Sequence, residues 1–150
     1  MRNKIFIFIL LSVVTCLIGV NKAAAQSEEA LLEINGKKAN ANGKVTYQSD
    51  FKIKLMEGTP APQSKFTILL NKNVQYRFVI VSSRDLPGQG MFKLLDNSKV
   101  VINSYMEATD NIMTVVDFNC TKTGPYHLFC EFKDGMAGNA VLGVYLVKIL

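Results

Sequence analysis

One histidine, three cysteines and a few carboxylate–amide pairs are what this 150-residue chain offers for chemistry. His127 could act as a general base, with Ser82, Ser83, Ser98 or Ser104 as nucleophile and Asp117 as orienter, yet no glycine-framed serine singles out a partner for it. Its place among alternating strand residues reads as an outward-facing side chain. Cys120 and Cys130 alternate with apolar residues, whereas a reactive thiolate needs partial exposure and a nearby cation. They read as buried thiols. Without a CxxC pair or a close carboxylate cluster, these two cysteines and His127 fall short of a zinc site. No catalytic residue, cofactor-binding residue or metal ligand is assigned, and the expectation is a protein that is not an enzyme and carries no cofactor.

Three residues stand out as contacts in possible binding loops: Tyr105, Asp134 and Asn139. The segment Asp134-Gly135-Met136-Ala137-Gly138-Asn139 follows Lys133 and could wrap an anion or offer carbonyls and Asp134 to calcium. It has neither phosphate-loop nor EF-hand spacing, and a hairpin loop with two glycines at positive φ would look the same. Asp96-Asn97 and Asp110-Asn111 each hold one carboxylate, fewer than a tight calcium site needs, and read as turns. Sugar faces stack on exposed rings. The chain has no tryptophan, and Tyr105, within Asn103-Ser104-Tyr105-Met106-Glu107, is the tyrosine that reads as a loop aromatic free to meet a ligand, or more simply as a strand-end residue covering the edge of the sandwich.

The elements that must position these residues are strands. Phe51, Ile53 and Leu55 alternate with Lys52 and Lys54, and the same period runs through 66–70, 74–81, 91–95, 100–103, 112–120, 126–132 and 140–149. Period two marks half-buried strands. About eight strands result, or nine if 45–47 joins the sheet. Pro60-Ala61-Pro62, Leu86-Pro87-Gly88-Gln89-Gly90, Asp96-Asn97-Ser98 and Thr123-Gly124-Pro125 supply connectors and turns at short, regular spacing. The expected fold is all-β: a single antiparallel two-sheet β-sandwich, jelly-roll-like, over 45–150. Before it, 26–44 reads as a short helix or flexible segment, with Ser27 as cap and Glu28 and Glu29 in the first turn, followed by a polar loop over 35–43.

Inner faces are even-numbered on both 112–120 and 126–132. Opposed residues of a hairpin share a face, so a hairpin here sets Cys120 against Tyr126 and Val116 against Cys130. Val116 stands four residues before Cys120, about 13 Å at roughly 3.3 Å per residue. A disulfide needs Cα atoms within about 7 Å, so this register forbids the bridge that an oxidising compartment would favour.

The compartment is read from residues 1–25: Arg2 and Lys4, the apolar run 5–20, then Ala23 and Ala25 before Gln26. This is the pattern of a secretory signal peptide cut after Ala25, with Cys16 in the discarded part. The apolar run of 16 residues is short for a membrane span, which needs about 20. The expected location is periplasmic or secreted, with no transmembrane segment after cleavage. Full-length net charge is +5, but three of the 17 basic residues and none of the acidic ones lie in the leader, leaving 14 against 12 and a net of +2. No Lys/Arg cluster exceeds Lys37-Lys38, which excludes nucleic acid as a partner. The remaining 125 residues are one domain's length.

Phe66-Thr67-Ile68-Leu69-Leu70, Leu95-Asp96-Asn97, Asp117-Phe118-Asn119-Cys120, Lys122-Thr123-Gly124-Pro125-Tyr126 and Phe132-Lys133-Asp134-Gly135 resemble a group of small exported Bacteroidota proteins of unassigned function. Their sandwich is similar to the emp24/GOLD and pre-peptidase C-terminal type. The resemblance covers about 51–147 and implies a fold and a compartment. In that group a cysteine tends to stand at the place of Asn139, where it could pair with the Cys120 position; this chain departs there. The function expected is a non-enzymatic exported interaction or accessory domain of the bacterial envelope, using sheet edges or the loops 86–90 and 134–139 to meet another envelope or secreted protein. The alternative is a small glycan- or calcium-binding module. Partner identity and oligomeric state stay open.

Overall fold

The structure, a computed structural model, describes residues 26–150; the expected leader, 1–25 with Cys16, lies outside the described residues. The alternating runs become strands where expected: β1 (Thr46–Leu55), β2 (Gln63–Leu70), β3 (Val74–Ser82), β4 (Gly90–Asp96) and β5 (Lys99–Asn103). After these come β6 (Tyr105–Met106), outside the expected runs, β7 (Asn111–Ile112) and β8 (Val115–Cys120), into which the single run expected over 112–120 divides, then β9 (Gly124–Phe132) and β10 (Gly138–Ile149). Thr46 and Tyr47 extend β1 instead of forming a separate strand.

Two four-stranded antiparallel sheets form, in the orders β1-β10-β3-β8 and β2-β9-β4-β5. β1 pairs with β10, β2 with β9, β3 with β8 and β4 with β5. The chain is therefore one long ribbon folded back at Asn97 and wound on itself, and pairing of β10 with β3 and of β9 with β4 completes each sheet. This is the winding of a jelly roll. Asn97 sits at φ 54° in the turn, a conformation asparagine tolerates. Between the sheets, Ile53, Leu70, Phe78, Phe92, Leu128 and Leu142 are buried, and Phe78 stacks on Phe92 at 5.8 Å.

Residues 112–132 correct the expected hairpin. Both inner faces are even-numbered, with Cys120, Tyr126, Leu128, Cys130 and Phe132 buried. Yet β8 pairs with β3 in one sheet, and β9 with β2 and β4 in the other. Two strands that turn the same parity inward can face each other across a sandwich as readily as lie side by side, so parity does not determine register. Thr123-Gly124-Pro125 is likewise no tight turn: Gly124 and Pro125 open β9 opposite Leu70 and Leu69. Pairing with β4 ends at His127, so Pro125 lies where the missing N–H costs no bond on that side.

Both cysteines are free and buried. The bridge implied by the resemblance does not fit, because Cys120 pairs with Val74 while Ala140, next to Asn139, pairs with Ser82. Along β3 that separation is roughly 26 Å. Burial, then the charge of Glu131, pushes the Cys130 thiol up to about 12. The unfolded thiol ionises near 8.5, so this contribution to stability is complete below about pH 8.5 and is lost as pH rises towards the folded value. Thermal melts should therefore weaken progressively above about pH 8.5, and iodoacetamide should label Cys130 only as fast as the chain opens. Rapid labelling of Cys130 in the folded protein at neutral pH would contradict its burial.

The N-terminal segment corrects a second expectation. Helix α1 (Glu28–Asn40) runs through most of the stretch read as loop. Ser27 caps it as expected, its Oγ accepting from the Ala30 N–H at 3.1 Å. Acidic Glu28 and Glu29 at its start and Lys37 and Lys38 at its end complement the macrodipole. Asn35 and Gly36 are poor helix formers, and tertiary contacts override them. Asn35 is fully buried; its amide donates to the carbonyls of Val79 (2.7 Å) and Val141 (3.0 Å) and its oxygen accepts from the Tyr145 hydroxyl (2.8 Å). α1 thus lies on the outer face of β3 and β10, where Leu31, Ala39, Val79, Val81, Val141 and Tyr145 form a second core. Arg77 secures the far end: Nε and Nη2 hold Asp117 at 2.6 and 2.8 Å, and Nη1 donates to the Ala39 carbonyl at 2.8 Å.

Candidate functional site

Tyr105 is held rather than free. β6 and β7 pair into a short arm, Tyr105 opposite Ile112, whose tip carries Asp110 at φ 51°. The Tyr105 hydroxyl donates to Asp110 Oδ1 at 2.7 Å, and Lys133 Nζ reaches the same oxygen at 2.6 Å while lying 5.8 Å from the Tyr105 ring centroid. The Lys133 bond, then that of Tyr105, holds the Asp110 carboxyl below its ordinary range, and the bond to Asp110 raises both Tyr105 and Lys133.

Lys133 joins this arm to the second candidate loop. That loop is a crossover between sheets, not a hairpin, since β9 and β10 belong to different sheets. Asp134, exposed at φ 58°, and Gly135 at φ 66° turn it. Its carbonyls are engaged by the protein's own donors: Gly58 N–H on Gly135 O (3.0 Å), Gly88 N–H on Ala137 O (2.9 Å) and Ser83 N–H on Asn139 O (2.7 Å). Asn139 sits in β10 opposite Lys54. Among the described residues no cluster of three His, Cys, Asp or Glu could hold a metal. The contacts do bring the 83–90 loop, the 133–139 loop and the β6–β7 arm together at one end of the sandwich.

At that end a groove of about 390 Å³ runs between α1 and the arm, with Ile80, Val81 and Ile112 in its lining and Lys38, Arg84 and Asp110, the last already bound to Lys133, among its polar residues. Pairing of β3 with β8 stops at Val79 opposite Val115. Ile80 N–H still reaches the Thr114 carbonyl (2.9 Å), whereas Ser83 N–H faces the other way, to Asn139. Strand alternation then turns the Ile80 carbonyl and the Ser82 N–H towards the groove. Among the described residues, Lys38 and Arg84 form no ion pair. Sequence reading missed both: Lys38 lay in a presumed loop, and Arg84 becomes a groove residue only through the docking of α1.

His127 lies on β9 opposite Thr67, its Nδ1 3.1 Å from the Thr67 Oγ1. Ser82 and Ser104 accept from the Gly90 and Phe92 N–H groups, and Asp117 is held by Arg77 in the other sheet. These residues do not gather into a nucleophilic triad.

Fold and groove define the chain as a jelly-roll β-sandwich with one sheet backed by a helix. No family model and no curated protein matches it. Among solved structures it is similar to the pre-peptidase C-terminal domain of a collagenase from Bacillus anthracis, with 17% sequence identity, 66% of this chain and 90% of that chain covered, and a TM-score of 0.49. No described helix is long and apolar enough to cross a membrane.

Proposed function

We propose that the protein is an exported, non-catalytic accessory domain of the bacterial envelope that engages another envelope or secreted protein. The observation that carries this reading is the groove beside α1: an open stretch of β3 edge on its wall, apolar residues in its lining, and Lys38 and Arg84 without carboxylate partners. An extended segment can add main-chain bonds to an exposed edge, and acidic side chains on it would match the two cations.

Crosslinked pull-down of the tagged mature protein from its native envelope tests this, with a Lys38→Glu/Arg84→Glu double variant beside it. Both side chains are exposed, so the variant should melt within a few degrees of the parent, losing only the favourable charge of Lys38 at the C-terminal end of α1, about 1 kcal/mol. A partner enriched by the parent should fall about tenfold with the variant, as reversal of rim charges slows association. Equal recovery by both proteins would remove the groove as the contact, and no enriched protein at all would remove the interaction reading.

A further inference from the structure

The backbone nitrogen of Gln26 hydrogen-bonds to the Asp85 carboxylate, and Gln26 is the residue that follows the Ala23-x-Ala25 pattern. We propose that Asp85 is the seat of the mature chain's α-ammonium, so that removal of the leader itself completes the docking of α1. This rests on the reading of export with cleavage after Ala25.

Hydrolysis of the Ala25–Gln26 bond gives the water hydroxyl to the Ala25 carbonyl carbon and a proton to the Gln26 nitrogen. That amine takes a further proton from solvent at neutral pH. A neutral N–H donor becomes a cation with three N–H groups, and a hydrogen bond between charged partners is about twice as strong as a neutral one. The carboxylate is already oriented: Ser83 Oγ donates to the same Asp85 oxygen at 3.0 Å and accepts from the Asp85 N–H at 3.2 Å, and Ser83 is buried. Gln26 is held a second time, its side-chain oxygen accepting from the Arg84 N–H at 3.3 Å.

Placement makes the seat matter. Gln26 precedes the Ser27 cap of α1, and a cation there opposes the positive end of the helix dipole. The Asp85 carboxylate offsets that charge at the nitrogen itself. Before cleavage the same nitrogen carries no charge, so the full attraction to Asp85 exists only in the mature chain.

The test compares residues 26–150, which hold every element described, with two termini: a free Gln26 amine released from a removable tag, its intact mass showing that it has not cyclised with loss of ammonia, and an N-acetylated Gln26. Each is made with Asp85 and with Asp85→Asn. The free amine should lower the unfolding constant about threefold relative to the acetylated form, the scale of a partly exposed ion pair, and Asp85→Asn should abolish the difference. Equal stability of the free and acetylated forms would overturn the seat; this comparison keeps Asp85 and needs no substituted chain to fold. N-terminal mass analysis of the protein from its own cells separately tests the premise, and a terminus other than Gln26 would overturn cleavage after Ala25 without altering the stability comparison.

Discussion

Asn35→Ala should lower stability by about 3 kcal/mol, equivalent to roughly 10 °C in melting temperature for a domain of this size. Three hydrogen bonds converge on this fully buried amide. Each is worth about 1 kcal/mol, and truncation also removes the acceptor of the Tyr145 hydroxyl. Burial already raises the Tyr145 phenol. The loss should be local before it is global. The bonds tie α1 to β3 and β10, whereas the central core of the sandwich lies on the opposite side of those strands. Hydrogen exchange should therefore show amides of 28–40 losing protection while those of β9 keep theirs. Gly143 supports the same lock: a Cβ there would stand 2.3 Å from Asn35 Oδ1 and 2.8 Å from the Tyr145 ring. Gly143→Ala should accordingly produce the same exchange pattern through steric displacement. Uniform loss of protection across α1 and β9 in either variant would show that the helix is not a separately docked unit.

That Asn35 reads as loop in the sequence while 51–55 reads as strand is a matter of what each pattern encodes. Alternation is legible where one face stays wet, as with Lys52 and Lys54 between Phe51, Ile53 and Leu55. It fades where both faces are covered: Val79 and Val81 face α1 while Phe78 and Ile80 face the other sheet, so the alternation of Gln75 and Arg77 gives way to an unbroken apolar run over 78–81. Such a run signals a second covering layer. The layer itself, 28–40, conceals its inner stripe because Asn35 stands at a central buried position and only the strand carbonyls explain it. Local turn chemistry was legible at Asn97, since asparagine's positive φ needs no distant partner. Pairing was not, because β8 and β9 satisfy the same burial parity across the core as they would side by side. The candidate contacts divide in the same way. Tyr105 and Asp134 were found by type and loop context, but the bonds of Lys133 to Asp110 and of Gly88 to Ala137, which assemble one surface, join residues far apart in the chain.

That assembled end should be the most sensitive to added volume. Phe132 is 1% exposed, and its ring lies against two glycines: a Cβ at Gly138 would stand 2.2 Å from Cδ1 and 2.3 Å from Cε1, and one at Gly88 would stand 2.9 Å from Cδ1. Phe132→Ala should cost about 4 kcal/mol, as deletion of a buried ring does. Gly138→Ala should cost about 3 kcal/mol, at the upper end for overpacking, because the clash is with the near edge of a rigid ring and not with a flexible chain end. The ring cannot retreat, since Gly88 and the Gly88–Ala137 hydrogen bond close the space on the loop side. The decisive measurement is the double variant. Once the ring is gone, the alanine methyl occupies part of the space it vacated, so Phe132→Ala/Gly138→Ala should be less destabilised than the sum of the singles by at least about 2 kcal/mol. Strict additivity in denaturant unfolding would mean that Gly138 is required for some reason other than contact with the ring. The loops at this end also carry Lys133, Arg84 and Asp85, so a protein enriched through the proposed groove should be bound more weakly by the singly substituted Gly138→Ala chain even below its melting temperature. The double variant should recover part of that binding along with its stability.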